Sequence, residues 1–178
     1  MTNPRDTQRQ RLYDAEEKAC CAIGMAHWGQ TIKNADLQGF VNMVLANRAV
    51  AARWPGRSVS VRLTKGGGWA YGNEIRLGVR ARNEYIVLHE LAHVLTPDKY
   101  AAHGPEFAGI FLWLVQTIHS KELADALRVA FKEHKVRKSN VAIPTPMDRT
   151  EKALRERIAK LRAEQTALNR AMAAAQSD

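Results

Sequence analysis

The sequence predicts an α+β fold in which a small sheet packs on helices, followed by one long carboxy-terminal helix. Three observations carry this expectation. Apolar residues recur at helical spacing on both sides of a short stretch, 58–79, where the period drops to two. A segment bounded by Asn83 and by Thr96-Pro97, a cap and a stop, carries two histidines four residues apart. A polar stretch with two prolines, 139–147, then separates everything before it from a heptad-like run. The expected organisation is a first domain over 1–138, a linker over 139–147 and a helix over 148–178.

Taken in order, Asp6 to Gly24 reads as a helix whose apolar stripe is Leu12, Ala15, Ala19, Ala22 and Ile23, with Gly24 near its stop. His27 and Trp28 follow in a loop and read as structural. Asp36 is the expected N-cap of a second helix running to Arg53, with Leu37, Phe40, Val41, Val44, Leu45 and Ala49 at helical spacing and Trp54-Pro55-Gly56 ending it. Ser58 to Thr64 alternates Val59, Val61 and Leu63 against Ser60 and Arg62, the pattern of a half-buried strand. Gly66-Gly67-Gly68 then makes a turn. No Lys-Ser/Thr pair follows it, which excludes a phosphate loop. Trp69 to Tyr71 and Glu74 to Val79 supply two more strand segments around a Gly72-Asn73 break.

A helix beginning near Asn83 carries the histidine pair. Past Pro97 a second helix begins at Pro105, with Phe107, Ile110, Phe111, Leu114, Val115 and Ile118 as its core face, and a third runs over 121–136 on Leu123, Ala126, Leu127, Ala130 and Phe131. Beyond the linker, Asp148-Arg149-Thr150-Glu151 fits a capping box that opens a helix to about Ala175. Its seam of Leu154, Ile158, Leu161, Gln165, Leu168, Met172 and Ala175 suits a coiled coil. Such a seam pairs with a copy of itself or a partner helix, or lies down on the first domain; the proline-containing linker favours self-association or partner docking for residues 148–176.

The chemistry concentrates in His89-Glu90-Leu91-Ala92-His93. Residues four apart share a helix face, so His89 and His93 can aim at one metal ion, while Glu90 stands beside that ion and can take a proton from the water it activates. A third ligand is needed. The longer signature H-E-x-x-H-x-x-G-x-x-H would require Gly and His where the chain has Thr96 and Lys99, and is excluded. His103, at the mouth of the helix that starts with Gly104-Pro105, is the leading candidate. Asp98 reads more simply as a turn former, and Glu106 as a first-turn residue favoured by the helix dipole.

The pair HELAH and HGPEF resembles the SprT-like zinc metalloproteases, a family with members that digest DNA–protein crosslinks, and is similar to small metallohydrolases of actinobacteria and their phages. The likeness covers about Tyr85 to Leu114. It implies a zincin-like catalytic domain, one Zn2+ held by His89, His93 and His103, Glu90 as general base, and hydrolysis of a peptide or protein substrate. It also implies a strand edge beside the metal helix where an extended substrate adds by main-chain hydrogen bonds. Asn73 to Leu77, with Asn73 and Ile75 as contacts, is the segment expected there; the competing reading is that Ile75, Leu77 and Val79 are only core, and both can hold, since one face of a strand packs while its backbone edge stays free. Tyr71, Tyr85 and Tyr100 are the phenols close enough in sequence to steady an oxyanion. The Cys-rich ribbon of the fuller family plan is absent, so ribbon-dependent DNA binding is not expected.

Composition narrows the setting. With 27 Lys and Arg against 18 Asp and Glu, the chain carries +9, a balance compatible with nucleic acid. The one local concentration, Lys132, Lys135, Arg137 and Lys138, also fits a solvated helix end. The two cysteines, Cys20 and Cys21, are adjacent and poorly placed to bridge each other. No secretory pattern or long apolar run is present, so a cytoplasmic protein without membrane partners is expected. A non-enzymatic assembly protein with a structural metal is the rival reading, but such a site normally closes its fourth position with another protein ligand.

Overall fold

The computed structural model describes residues 6–25 and 30–139, which belong to the first of two units into which the chain divides, Met1–Val141. The expected linker beyond Ser139, the long helix of 148–178 and the loop pair His27-Trp28 lie outside the described residues. The fold is α+β. Its helices are α1 (Arg9–Ala22), α2 (Leu37–Ala46), α3 (Arg48–Arg53), α4 (Glu84–Leu95), α5 (Pro105–Leu114) and α6 (Lys121–Glu133), and its strands are β1 (Ser60–Leu63), β2 (Gly68–Tyr71) and β3 (Glu74–Leu77). No helix among the described residues is long and apolar enough to cross a membrane.

At the centre lies α4, nine of whose twelve residues are buried, so it is covered on all sides rather than along one stripe. Asn83 starts it, its side-chain oxygen accepting from the Ile86 N–H at 2.9 Å. Thr96 stops it: the Pro that follows forces extended backbone there, and the Thr96 hydroxyl donates back to the Ala92 carbonyl at 2.7 Å. One side of α4 meets β2 and β3, another meets α5, and α1 packs along α6. Leu88, Leu91, Phe107, Phe111 and Leu114 are fully buried between these layers. Truncating either phenylalanine to alanine would cost about 3–5 kcal/mol.

The second predicted helix is in fact two. Asn47 leaves helical geometry, with φ −54 and ψ 130, and its side chain accepts from the Ala49 N–H, so it ends α2 and caps α3. An amide that can bond its own backbone competes with helix propagation. Apolar spacing across the break hid it.

The sheet order is β1-β3-β2, with β1 parallel and β2 antiparallel to β3. This corrects the expected docking edge. The strand containing Ile75 is the central one, hydrogen-bonded on both sides, because Val61 pairs with Ile75 from one flank and Ala70 from the other. Ile75 itself is fully buried. The free edge near α4 belongs to β2. The β2–β3 hairpin closes at Gly72, whose φ of +57 lies where other residues are strained.

Candidate metal centre

His89 and His93 face the same way one turn apart on α4, their ring centroids separated by 5.0 Å. His103 is brought to them by two tight turns after the Pro97 stop, closed by Tyr100 N–H to the Pro97 carbonyl at 3.0 Å and Gly104 N–H to the Ala101 carbonyl at 2.9 Å. Its ring lies 4.7 Å from that of His93 and 5.7 Å from that of His89. One nitrogen from each ring lies within 4.8 Å of the other two. This largely buried trio is close enough to bind a metal ion. Phe107 forms a floor beneath it, its ring 4.9, 4.3 and 5.2 Å from His89, His93 and His103.

Two of the imidazoles are fixed from behind: the Glu16 carboxylate meets His89 Nδ1 at 3.0 Å, and the Asp6 carboxylate meets His103 Nδ1 at 2.7 Å. A carboxylate accepting from Nδ1 leaves the Nε2 lone pair to face the centre, the tautomer a metal requires. Burial, and then the neighbouring imidazoles, push His93 down to about 2, and burial outweighs the Asp6 hydrogen bond to hold His103 below the usual histidine range. Burial also lowers His89, but Glu16 outweighs it and leaves that group raised.

Glu90 is buried on the same helix, and its Oε2 has no hydrogen-bond partner. Burial pushes its carboxyl up to about 7, partly opposed by His89 and reinforced by Glu16. Its other oxygen rests against β2, where a Cβ built on Gly68 would come within 2.8 Å of Oε1. Only glycine lets the strand backbone approach this closely without displacing the carboxylate.

A cleft of about 680 Å³ opens over this centre, with Gly68 to Gly72 on one side, the α4 end and the turn to His103 on another, and Asp6, Arg9 and Tyr13 of the α1 region completing it. Glu90, His93 and His103 line it. Of the predicted phenols, Tyr71 and Tyr100 line it and Tyr85 does not: Tyr85 is in the core, its ring 5.3 Å from that of Phe111. Asn73 is likewise away from the cleft, its side chain accepting from Arg57 at 3.2 Å and its carbonyl from the Ser60 N–H at 2.9 Å. Asp98 is exposed at the rim.

Asp6, Tyr13 and Glu16 were not among the predicted site residues. Glu16 left a trace in the sequence, because it sits four residues after Leu12 and three before Ala19, a charge within the apolar stripe of α1. Asp6 and Tyr13 left none. Comparison with protein-family models, curated proteins and solved structures returned no match.

Proposed function

We propose that the chain is a zinc-dependent metallopeptidase in which His89, His93 and His103 hold the ion and Glu90 is the general base. The observation that carries this reading is the unpartnered Glu90 carboxylate oxygen, buried beside three converging imidazoles. Leaving a buried charge-bearing oxygen unsatisfied costs on the order of 1–3 kcal/mol; Asp6 Oδ1 carries the same cost, but Asp6 commits its other oxygen to His103 Nδ1, as Glu90 does not. The donor set fits zinc. Three neutral nitrogens, two of them with second-sphere acceptors, are the ligands of a site that keeps one position open, and no fourth His, Cys, Asp or Glu ligand joins the cluster among the described residues.

When bound, zinc supplies Lewis acidity toward the scissile carbonyl and the attacking water. The chain's own residues do the rest. Glu90 takes the water's proton and returns it to the leaving amine, a transfer suited to a carboxyl raised toward neutrality. The free edge of β2 offers main-chain donors and acceptors to an extended substrate, and Gly68 brings that edge against Glu90. This arrangement supports the SprT-like resemblance with β2, rather than β3, in the docking role.

Zinc-loaded protein incubated with unfolded casein is expected to cleave it, with cleavage abolished by a chelator and restored by added zinc. Zinc binding without any hydrolysis of casein or of a mixed peptide library would contradict the assignment.

A further inference from the structure

We infer that Tyr13 is the hydrogen-bond donor that stabilises the oxygen of the scissile carbonyl as it becomes an oxyanion, an assignment that rests on the metallopeptidase reading. The phenol oxygen lies 3.0 Å from His103 Nε2. Because Asp6 holds the Nδ1 side of that ring, Nε2 carries the lone pair and the Tyr13 hydroxyl is its donor. A metal held by His103 would need the same lone pair, and the phenol hydrogen would then be free for another acceptor in the cleft, which Tyr13 lines together with Glu90 and His93.

Distance places the group well. The phenol oxygen is within hydrogen-bond reach of a ligand atom of His103 and lines the same cleft as Glu90, His93 and His103, so it stands on the solvent-facing side of the trio and not behind it. Of the other three phenols, Tyr85 is in the core, Tyr71 is 79% exposed, and Tyr100 lines the cleft without the hydrogen bond to a site histidine that Tyr13 makes.

The phenol is held by the fold and not by a loop. Leu12, Ala15 and Glu16 around it are buried, and α1 is tied at both ends, by paired hydrogen bonds of Gln8 with the Arg137 backbone and by Lys18 with Glu133 at 2.9 Å. The Arg9 guanidinium lies 5.5 Å from the Tyr13 ring centroid and shares the cleft wall. A donor fixed in advance needs no reorganisation as charge develops.

In the step itself the water oxygen bonds to the carbonyl carbon, the C=O π pair moves onto oxygen, and Tyr13 donates a hydrogen bond to that oxygen without giving up its proton. Glu90 accepts the proton of the water. The C–N bond then breaks as Glu90 returns it to nitrogen.

The test is Tyr13→Phe, which keeps the ring and removes only the hydroxyl. With one zinc per chain and chelator competition unchanged, kcat on a fluorogenic peptide is expected to fall about 100-fold with little change in KM. Calorimetric affinity for an N-phosphoryl dipeptide, whose tetrahedral anion mimics the charged oxygen, is expected to fall in parallel, while affinity for the unphosphorylated dipeptide holds. Unchanged turnover and unchanged phosphoryl-dipeptide affinity would overturn the role of Tyr13 and leave the peptidase reading intact. Loss of zinc affinity equal to that of His103→Ala would also overturn it, making Tyr13 a support for the ligand. A wild-type protein that holds zinc without hydrolysing any peptide would remove both readings.

Discussion

Glu16 and Glu90 are two buried glutamates beside His89, and they differ in what their oxygens meet. Glu16, on α1, has an oxygen accepting from His89 Nδ1, whereas Glu90, next to His89 on α4, has an oxygen with no partner at all. Both carboxyls are about equally hidden, at 4% and 5% exposure, so burial does not separate their roles. Satisfaction does. A carboxylate spent on a ligand's back side orients the imidazole, and a carboxylate with an uncommitted lone pair beside the open position is free to move a proton.

If that contrast is right, the largest effect belongs to Glu90→Gln. Peptide turnover should drop by roughly 10²–10⁴-fold, the usual worth of a general base, while zinc stoichiometry by metal analysis stays at one per chain. A variant that still turns over would move the base elsewhere. Glu16→Gln should show the opposite profile. Zinc affinity falls by about 10–100-fold in a chelator titration, and turnover largely recovers once zinc is saturating. Asp6→Asn should weaken zinc in the same way but less, since the Asp6 side chain is 26% exposed and better solvated than Glu16.

A smaller effect is expected from Gly68→Ala, which touches neither glutamate's chemistry but crowds Glu90 Oε1. Displacing the base by a few tenths of an ångström should lower kcat on the order of ten-fold with zinc retained, because positioning errors of about 1 Å can cost as much as 100-fold. Smallest of all is Asn83→Ala at the α4 cap, which should cost about 1 kcal/mol and lower the melting temperature by a few degrees without altering zinc binding.

The same pair shows what could be read from sequence and what could not. The place of Glu90 beside the histidine pair was legible because it is local: the pair spans one helical turn, and the Thr96-Pro97 stop and Gly104-Pro105 start are short-range signals. Glu16 was not, because it meets His89 across 73 residues, and Asp6 meets His103 across 97. Periodicity places a residue on a face but not that face against a partner. Strand content was legible for the same local reason, whereas the order β1-β3-β2 depends on a parallel pairing that skips β2. The free edge was therefore expected on β3, one strand away from β2, which holds it. At Asn47 a single side-chain bond to Ala49 outweighed continuous apolar spacing and divided one expected helix into α2 and α3.

X-ray absorption at the zinc edge, recorded on metal-loaded wild type and on His103→Ala, addresses the three-histidine site directly. The wild type should give three imidazole nitrogens at about 2.0–2.1 Å, and the variant two, with zinc lost on dialysis. An unchanged spectrum and full zinc retention in His103→Ala would contradict it.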